Sequence, residues 1–158
     1  MANANDVAQD SSIAIGVDGF PVIAHGNNTD GDLNVTKCDN AACTSSSTVE
    51  LTNADNVGEW TSIAIGTDGL PIIAYSSSTD GDLNIVKCGN TACTSGNTTT
   101  EISNADGNGR ELSMAISTDG FAVISHKNVT DGDINVTKCS NAACTASSTV
   151  ELTNADKV

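Results

Sequence analysis

The sequence is poor in positive charge: 6 Lys and Arg stand against 20 Asp and Glu, for a net charge of −14. So acidic a surface repels phosphate backbones and anionic headgroups, which argues against nucleic acid and against a polybasic membrane contact. Cations and basic partners stay open, and the plain use of the charge is solubility. Aromatics are scarce, with Phe20, Trp60, Tyr75 and Phe121 the whole set. Good helix formers such as Gln and Arg are rare too, which argues against a helical fold. No segment approaches the roughly 18 consecutive apolar residues of a membrane-spanning helix, so no membrane insertion is expected. The opening MANANDVAQD has neither a basic start nor an apolar stretch, so no signal peptide is expected within it. HExxH, a phosphate-cradling glycine loop and a Ser–His–Asp pattern are all missing.

What is present is Val, Ile and Thr, whose branched side chains suit a pleated surface. They are set among Asn, Asp, Gly and Ser, the chemistry of turns. The pattern triplicates. Ile13-Ala14-Ile15-Gly16 returns as Ile63-Ala64-Ile65-Gly66, a shift of 50, and as Met114-Ala115-Ile116-Ser117, a further shift of 51. The extra residue falls between Cys93 and Glu101, which marks a loop. The 158 residues are expected to be a single repeat array, with 1–11 as a lead-in and repeats at 12–61, 62–112 and 113–158.

Each repeat reads as four short strands. In the first, SIAIG from Ser12 leads through an Asp18-Gly19 hairpin turn to PVIAH from Pro21, where proline is tolerated at a strand start. NNTDGD makes a second hairpin, LNVTKC spans Leu33 to Cys38, and TVELT from Thr48 follows a cysteine-flanked loop. Strands one and two are apolar on both faces. Strands three and four alternate, with Leu33, Val35, Val49 and Leu51 opposite Asn34, Thr36, Glu50 and Thr52. Two-sided burial inside and one-sided burial outside fit a sheet stacked between like sheets. The expected fold is therefore all-β, with three four-stranded antiparallel blades of a β-propeller per chain. The competing architecture is a β-trefoil, which needs bulky residues from every repeat at a shared axis; strand one here is rich in Ser, Ala and Gly instead. A β-solenoid is the third option.

The run VGEWTSIAIGTDGLPIIAYSSSTDGDLNIVKC resembles tandem repeats of secreted bacterial proteins, which read as Gly, then Ser-Ile-Ala, an Asp-Gly turn, Pro-x-Ile-x-Tyr and Gly-Asp-Leu. The resemblance covers the chain three times over. It implies a β-propeller fold and an extracellular setting, and no catalytic residues. The chain departs from that pattern at strand two. The usual Tyr is kept only as Tyr75 and replaced by His25 and His126, and Gly26, Ser76 and Lys127 follow where a second Tyr is frequent.

Six cysteines fall as Cys38/Cys43, Cys88/Cys93 and Cys139/Cys144, with the same spacing each time. Recurrence selects pairing inside each repeat, and a short loop between neighbouring strands can bring Cα atoms within the required distance of about 4.4–6.8 Å. Zinc fits less well, since each repeat offers two thiols and no nearby His; free buried thiols are the remaining option. Disulfides imply an oxidising compartment: periplasm, cell surface or medium. Their expected use is to lock an outer loop.

No catalytic residues and no cofactor are expected, because every notable residue recurs or varies freely while one reaction needs one constellation. Asp30/Asp32, Asp80/Asp82 and Asp131/Asp133 present alternate oxygens as calcium loops do, but the closing bidentate Glu of such a loop is missing and a hairpin turn explains them. His25, Tyr75 and His126 end strand two and are the candidate ligand contacts, glycans being the ligand class. Lys37, Lys87 and Lys138 read as outer-strand charges. The expected function is a secreted or cell-surface scaffold or recognition module whose partner is itself, as a homodimer giving six blades or an end-to-end assembly. A multivalent lectin and a structural segment of a filament or surface layer are the alternatives.

Overall fold

The computed structural model describes residues 9–27, 29–52, 57–77, 81–103 and 109–152. All regular structure among them is β, in three four-stranded antiparallel sheets. The first sheet holds β1 (Gln9–Ile15), β2 (Pro21–Asn27), β3 (Asp32–Cys38) and β4 (Ser46–Glu50). The second holds β5 (Val57–Ile65), β6 (Pro71–Ser77), β7 (Leu83–Lys87) and β8 (Thr98–Ser103). The third holds β9 (Arg110–Ile116), β10 (Ala122–Lys127), β11 (Ile134–Cys139) and β12 (Ser147–Glu151). Every sheet is a meander, its strands paired in chain order.

The sheets stack face to face. Val22, Ala24, Leu33 and Val35 of the first pack on Ile63, Ile73, Tyr75 and Val86 of the second. Ile72, Ala74, Leu83 and Ile85 of the second pack on Ile124 of the third, with Met114 and Ile116 beside them. The first strand of each sheet is the one nearest its counterparts: β5 lies between β1 and β9, and the first and third sheets share no comparable contact. The division of burial differs from the alternation read in strand three. β3 is buried almost throughout, Asn34 and Lys37 included, although Ile13 and Ile15 of β1 in the same sheet are exposed. Alternating burial appears instead in β9, β10 and β11 of the third sheet, and the fourth strands β4 and β12 are exposed almost throughout.

The first strand also reaches further than its apolar run. β1 begins at Gln9, inside the expected lead-in, and β5 crosses the boundary between 61 and 62. The extension is bulged. Gln9 pairs with Gly26 and Ser12 with Ala24, so three steps on β1 oppose two on β2. Glu59/Ser76 then Ser62/Ala74, and Arg110/Lys127 then Ser113/Ser125, repeat the same irregularity. An extra residue of this kind bends a strand and raises its twist.

The Asp-Gly turns close as their chemistry dictates. Gly19 has φ +81°, Gly16 N–H donates to Phe20 O at 2.9 Å, and Asp18 Oδ1 accepts from Phe20 N at 3.0 Å. The lysines of the third strands are not loose outer charges. Lys37 Nζ reaches back to Asp18 at 2.8 Å, and Lys87 to Asp68 and Lys138 to Asp119 at 2.9 Å, so the third strand of each sheet pins its first hairpin. Lys37 and Lys138 also lie over the rings of Phe20 and Phe121.

These contacts fix the sign of an acid response. A hydrogen bond from Ser117, then Lys138, holds Asp119 down to about 2, from an ordinary 3.8. The Lys37 hydrogen bond lowers Asp18. At Asp68 burial pushes up, but the Lys87 hydrogen bond and the Leu70 amide outweigh it, so that it too is lowered. A carboxylate depressed in the folded state contributes stability above its unfolded pKa and loses it as pH falls through the folded one. Denaturant midpoints should therefore hold from pH 7 to near 4 and fall between about 4 and 2. The Asp119→Asn variant should flatten part of that fall.

Candidate functional site

The three bulges place equivalent positions side by side. Asp10, Trp60 and Glu111 are one repeat step apart, and all three are left-handed, with φ of 50°, 51° and 52°. None is Gly; Asp10 tolerates this region better than most, Trp60 and Glu111 do not. At Trp60 and Glu111 this stores about 1–3 kcal/mol of strain each, and such strain gathers at functional sites. Together with Ser11, Thr61 and Leu112 they line an open cleft of about 370 Å³ at one end of the inner strands. That volume falls in the range of small-ligand sites, about 300–1,000 Å³. The cavity beside Thr67 and Gly120, at about 40 Å³, has room for water alone.

The cleft has a fixed floor and variable walls. Thr61 Oγ1 donates to Asp10 O, which ties the first bulge to the second sheet. Ser12 Oγ accepts from Ile63 N at 3.1 Å, and Ser62 Oγ from Met114 N at 3.0 Å, so the inner strands are stitched just beyond the cleft. Glu111 lies 3.4 Å from Lys127 across the bulge, an exposed ion pair of small energetic weight. The lining includes two carboxylates and the chain's single tryptophan beside Ser11, Thr61 and Leu112.

His25, Tyr75 and His126, the candidate ligand contacts, stand elsewhere. Tyr75 and His126 are buried between sheets, and His25 is half-buried on the first. Each histidine belongs to a rung across its own sheet. His126 Nε2 meets Thr137 Oγ1 at 2.9 Å, which meets Thr149 Oγ1 at 2.7 Å; His25, Thr36 and Thr48 repeat the rung at 3.1 and 2.8 Å. In the second sheet Val86 takes the place of the middle threonine, with Tyr75 in the same packing cluster. The sequence carries this exchange: Thr partners His, and Val partners Tyr.

The acidic hairpins behave mainly as turns. Gly31 has φ +75°, its N–H donates to Asn27 O at 2.7 Å, and Asn27 Nδ2 donates to Asp30 at 3.0 Å. Asp32, Asp82 and Asp133 are buried at the starts of the third strands, and Asp80 lies outside the described residues. In the third sheet Asp131, Asp133 and Glu151 bring carboxylate oxygens within 4.8 Å of one another. Glu151 comes from β12, where the register sets it opposite Asn135, so the third carboxylate arrives from another strand and not from the loop.

The cysteines pair within each repeat, with Cα–Cα distances of 4.9 Å for Cys38–Cys43 and 4.8 Å for Cys88–Cys93 and Cys139–Cys144. Their setting differs from a loop lock. Cys88 and Cys93 belong to the packing between the first and second sheets, and Cys139 and Cys144 to that between the second and third. Asx turns shape the loops, Asn40 Oδ1 accepting from Ala42 N and Thr44 N at 3.2 Å. Three bridges point to an oxidising environment, and among the described residues no helix is long and apolar enough to cross a membrane.

No protein family matches the sequence, and no curated protein matches it. Among solved structures the fold is similar to that of an α-L-arabinofuranosidase from Lactobacillus brevis, at TM-score 0.67 and 11% identity, over 92% of this chain and 53% of that one. The chain thus spans about half the length of the structure it resembles.

Proposed function

We propose that the protein is a non-catalytic, secreted or cell-surface recognition module of β-propeller type, and that the bulge cleft binds a carbohydrate. The observation that carries this reading is the cleft itself. The backbone recurs there in all three repeats, with φ near 50° each time, while the side chains are Asp10, Trp60 and Glu111. The other non-glycine positive φ values recur at Cys43, Cys93 and Cys144, where the side chain is kept; in the cleft the backbone is kept while the side chain changes. An indole face packs on the apolar face of a pyranose, and flanking carboxylates accept from its hydroxyls. The solved neighbour is an arabinofuranosidase, which agrees with a carbohydrate ligand. The propeller assignment is supported by stacked meander sheets whose first strands lie in the order β1, β5, β9; a trefoil would bring all three repeats to one axis.

Trp60 is the sole tryptophan, so its fluorescence reports the cleft directly. Glycan-array binding followed by fluorescence titration with the retained oligosaccharide should shift its emission. Trp60→Ala should weaken binding about 10- to 100-fold. A silent array, or binding unchanged by Trp60→Ala, would overturn the ligand assignment. Retention that collapses between 50 and 300 mM salt would point to a basic ligand held by charge.

A further inference from the structure

Each sheet has two different faces, one toward the preceding sheet and one toward the next. Equivalent positions can therefore be compared at the ends of the stack. Ile63, facing the first sheet, is 6% exposed, while its equivalent Ile13 is 61% exposed. Leu33 and Leu83, each covered by the following sheet, are fully buried, while their equivalent Ile134 is 48% exposed. Leu152 stands at 62%, where Leu51 and Ile102 are half-buried against their neighbours. The first sheet thus shows a bare preceding face, and the third a bare following face.

Finer features agree. Ser12 and Ser62 each accept from an amide of the next sheet, and the third member of the series, Ser113, is exposed. Val17 fills the space over Gly69, where a Cβ would fall 2.9 Å from its methyl, and Thr67 fills that over Gly120 at 3.0 Å. Over Gly19 there is nothing within 4 Å.

We propose that a second copy of this chain covers both bare faces, third sheet onto first in each direction, so that two copies close a six-sheet ring. The occupant follows from the faces themselves: what Ile13 and Ile134 lack is what Leu33 and Ile63 already have. In the ring Ser113 Oγ accepts from the Ile13 amide of the other copy, and Thr118 lies over its Gly19. Apolar faces of this extent are rarely left to solvent, and rings of stacked four-stranded sheets close at about four to eight. The contact is head-to-tail, so its rotation decides between a ring and an open filament. Nothing in this inference depends on the carbohydrate reading.

Light scattering after size-exclusion chromatography should give twice the 16.0 kDa chain mass. Ile15→Asp and, separately, Leu152→Asp change side chains exposed in the single chain, so each should keep the wild-type circular dichroism. Each should weaken dimerisation about 100-fold or more by forcing a charge into the junction. Mixing the two variants should restore a heterodimer through the one junction that both leave intact. A wild-type monomer at tens of micromolar overturns the proposal, and so does a polydisperse polymer. Dimerisation of either variant alone would indicate a like-with-like contact and overturn it as well.

Discussion

Leu83→Ala is expected to cost about 2–5 kcal/mol, the range for emptying a well-packed aliphatic site, while Ile134→Ala at the equivalent position should cost under about 1 kcal/mol when the chain is monomeric. The two residues differ in setting and hardly in chemistry. Leu83 is sealed by the third sheet and belongs to its packing cluster; Ile134 stands on the bare face of the last sheet. The comparison is best made in the Ile15→Asp background. A domain of this size shifts by roughly 2–4 °C per kcal/mol, so the midpoint should fall by about 5–15 °C for Leu83→Ala and scarcely move for Ile134→Ala. Equal losses would mean that stacking between sheets contributes little, and that each sheet is held by its own hairpins.

Removing the Cys88–Cys93 bridge by paired replacement with Ala should cost about 2–5 kcal/mol. Closure of so short a loop accounts for only about 2 kcal/mol in the chain-entropy view. The remainder comes from packing, since both sulfurs are buried between the first two sheets. Paired replacement of Cys38 and Cys43 removes the same covalent loop from the first sheet, where Cys38 is buried but Cys43 is only half-buried and no preceding sheet packs on them. It should lose the loop-closure part and little more. Chemical denaturation of the two double variants measures the difference directly. Identical midpoints would reduce the bridges to loop staples and leave the interface contribution without support.

Strand count, order and turns were legible in the sequence because each rests on local chemistry. The Asp18-Gly19 turn needs a residue at positive φ, and apolar stretches separated by such turns leave little freedom in a meander. The disulfides were legible because three identical spacings favour one pairing pattern. The bulge cleft was not. Asp10 and Glu111 are carboxylates and Trp60 an indole, so no single residue type recurs there, and the extra residue breaks the alternation from which strands are read. The usable signal was inverse: a position that varies in register between repeats that otherwise repeat. The burial of His126 and Tyr75 was hidden for another reason, since a side chain at a strand end can face the rim or the neighbouring sheet, and only stacking decides. Glu151 joins Asp131 and Asp133 through strand pairing, a relation across the sheet that loop spacing cannot express.

The two unlike faces of each sheet give the chain a polarity, and polarity bears on how such a gene can change. A further unit of about 50 residues, copied in frame, arrives with a face that already fits the last sheet and another that reproduces the bare end. Duplication or deletion of whole units thus needs no compensating substitution at the junctions. What it alters, in the proposed ring, is arithmetic: the number of units per chain would set how many chains a closed circle takes, and a count that divides no allowed circle would leave an end to grow from.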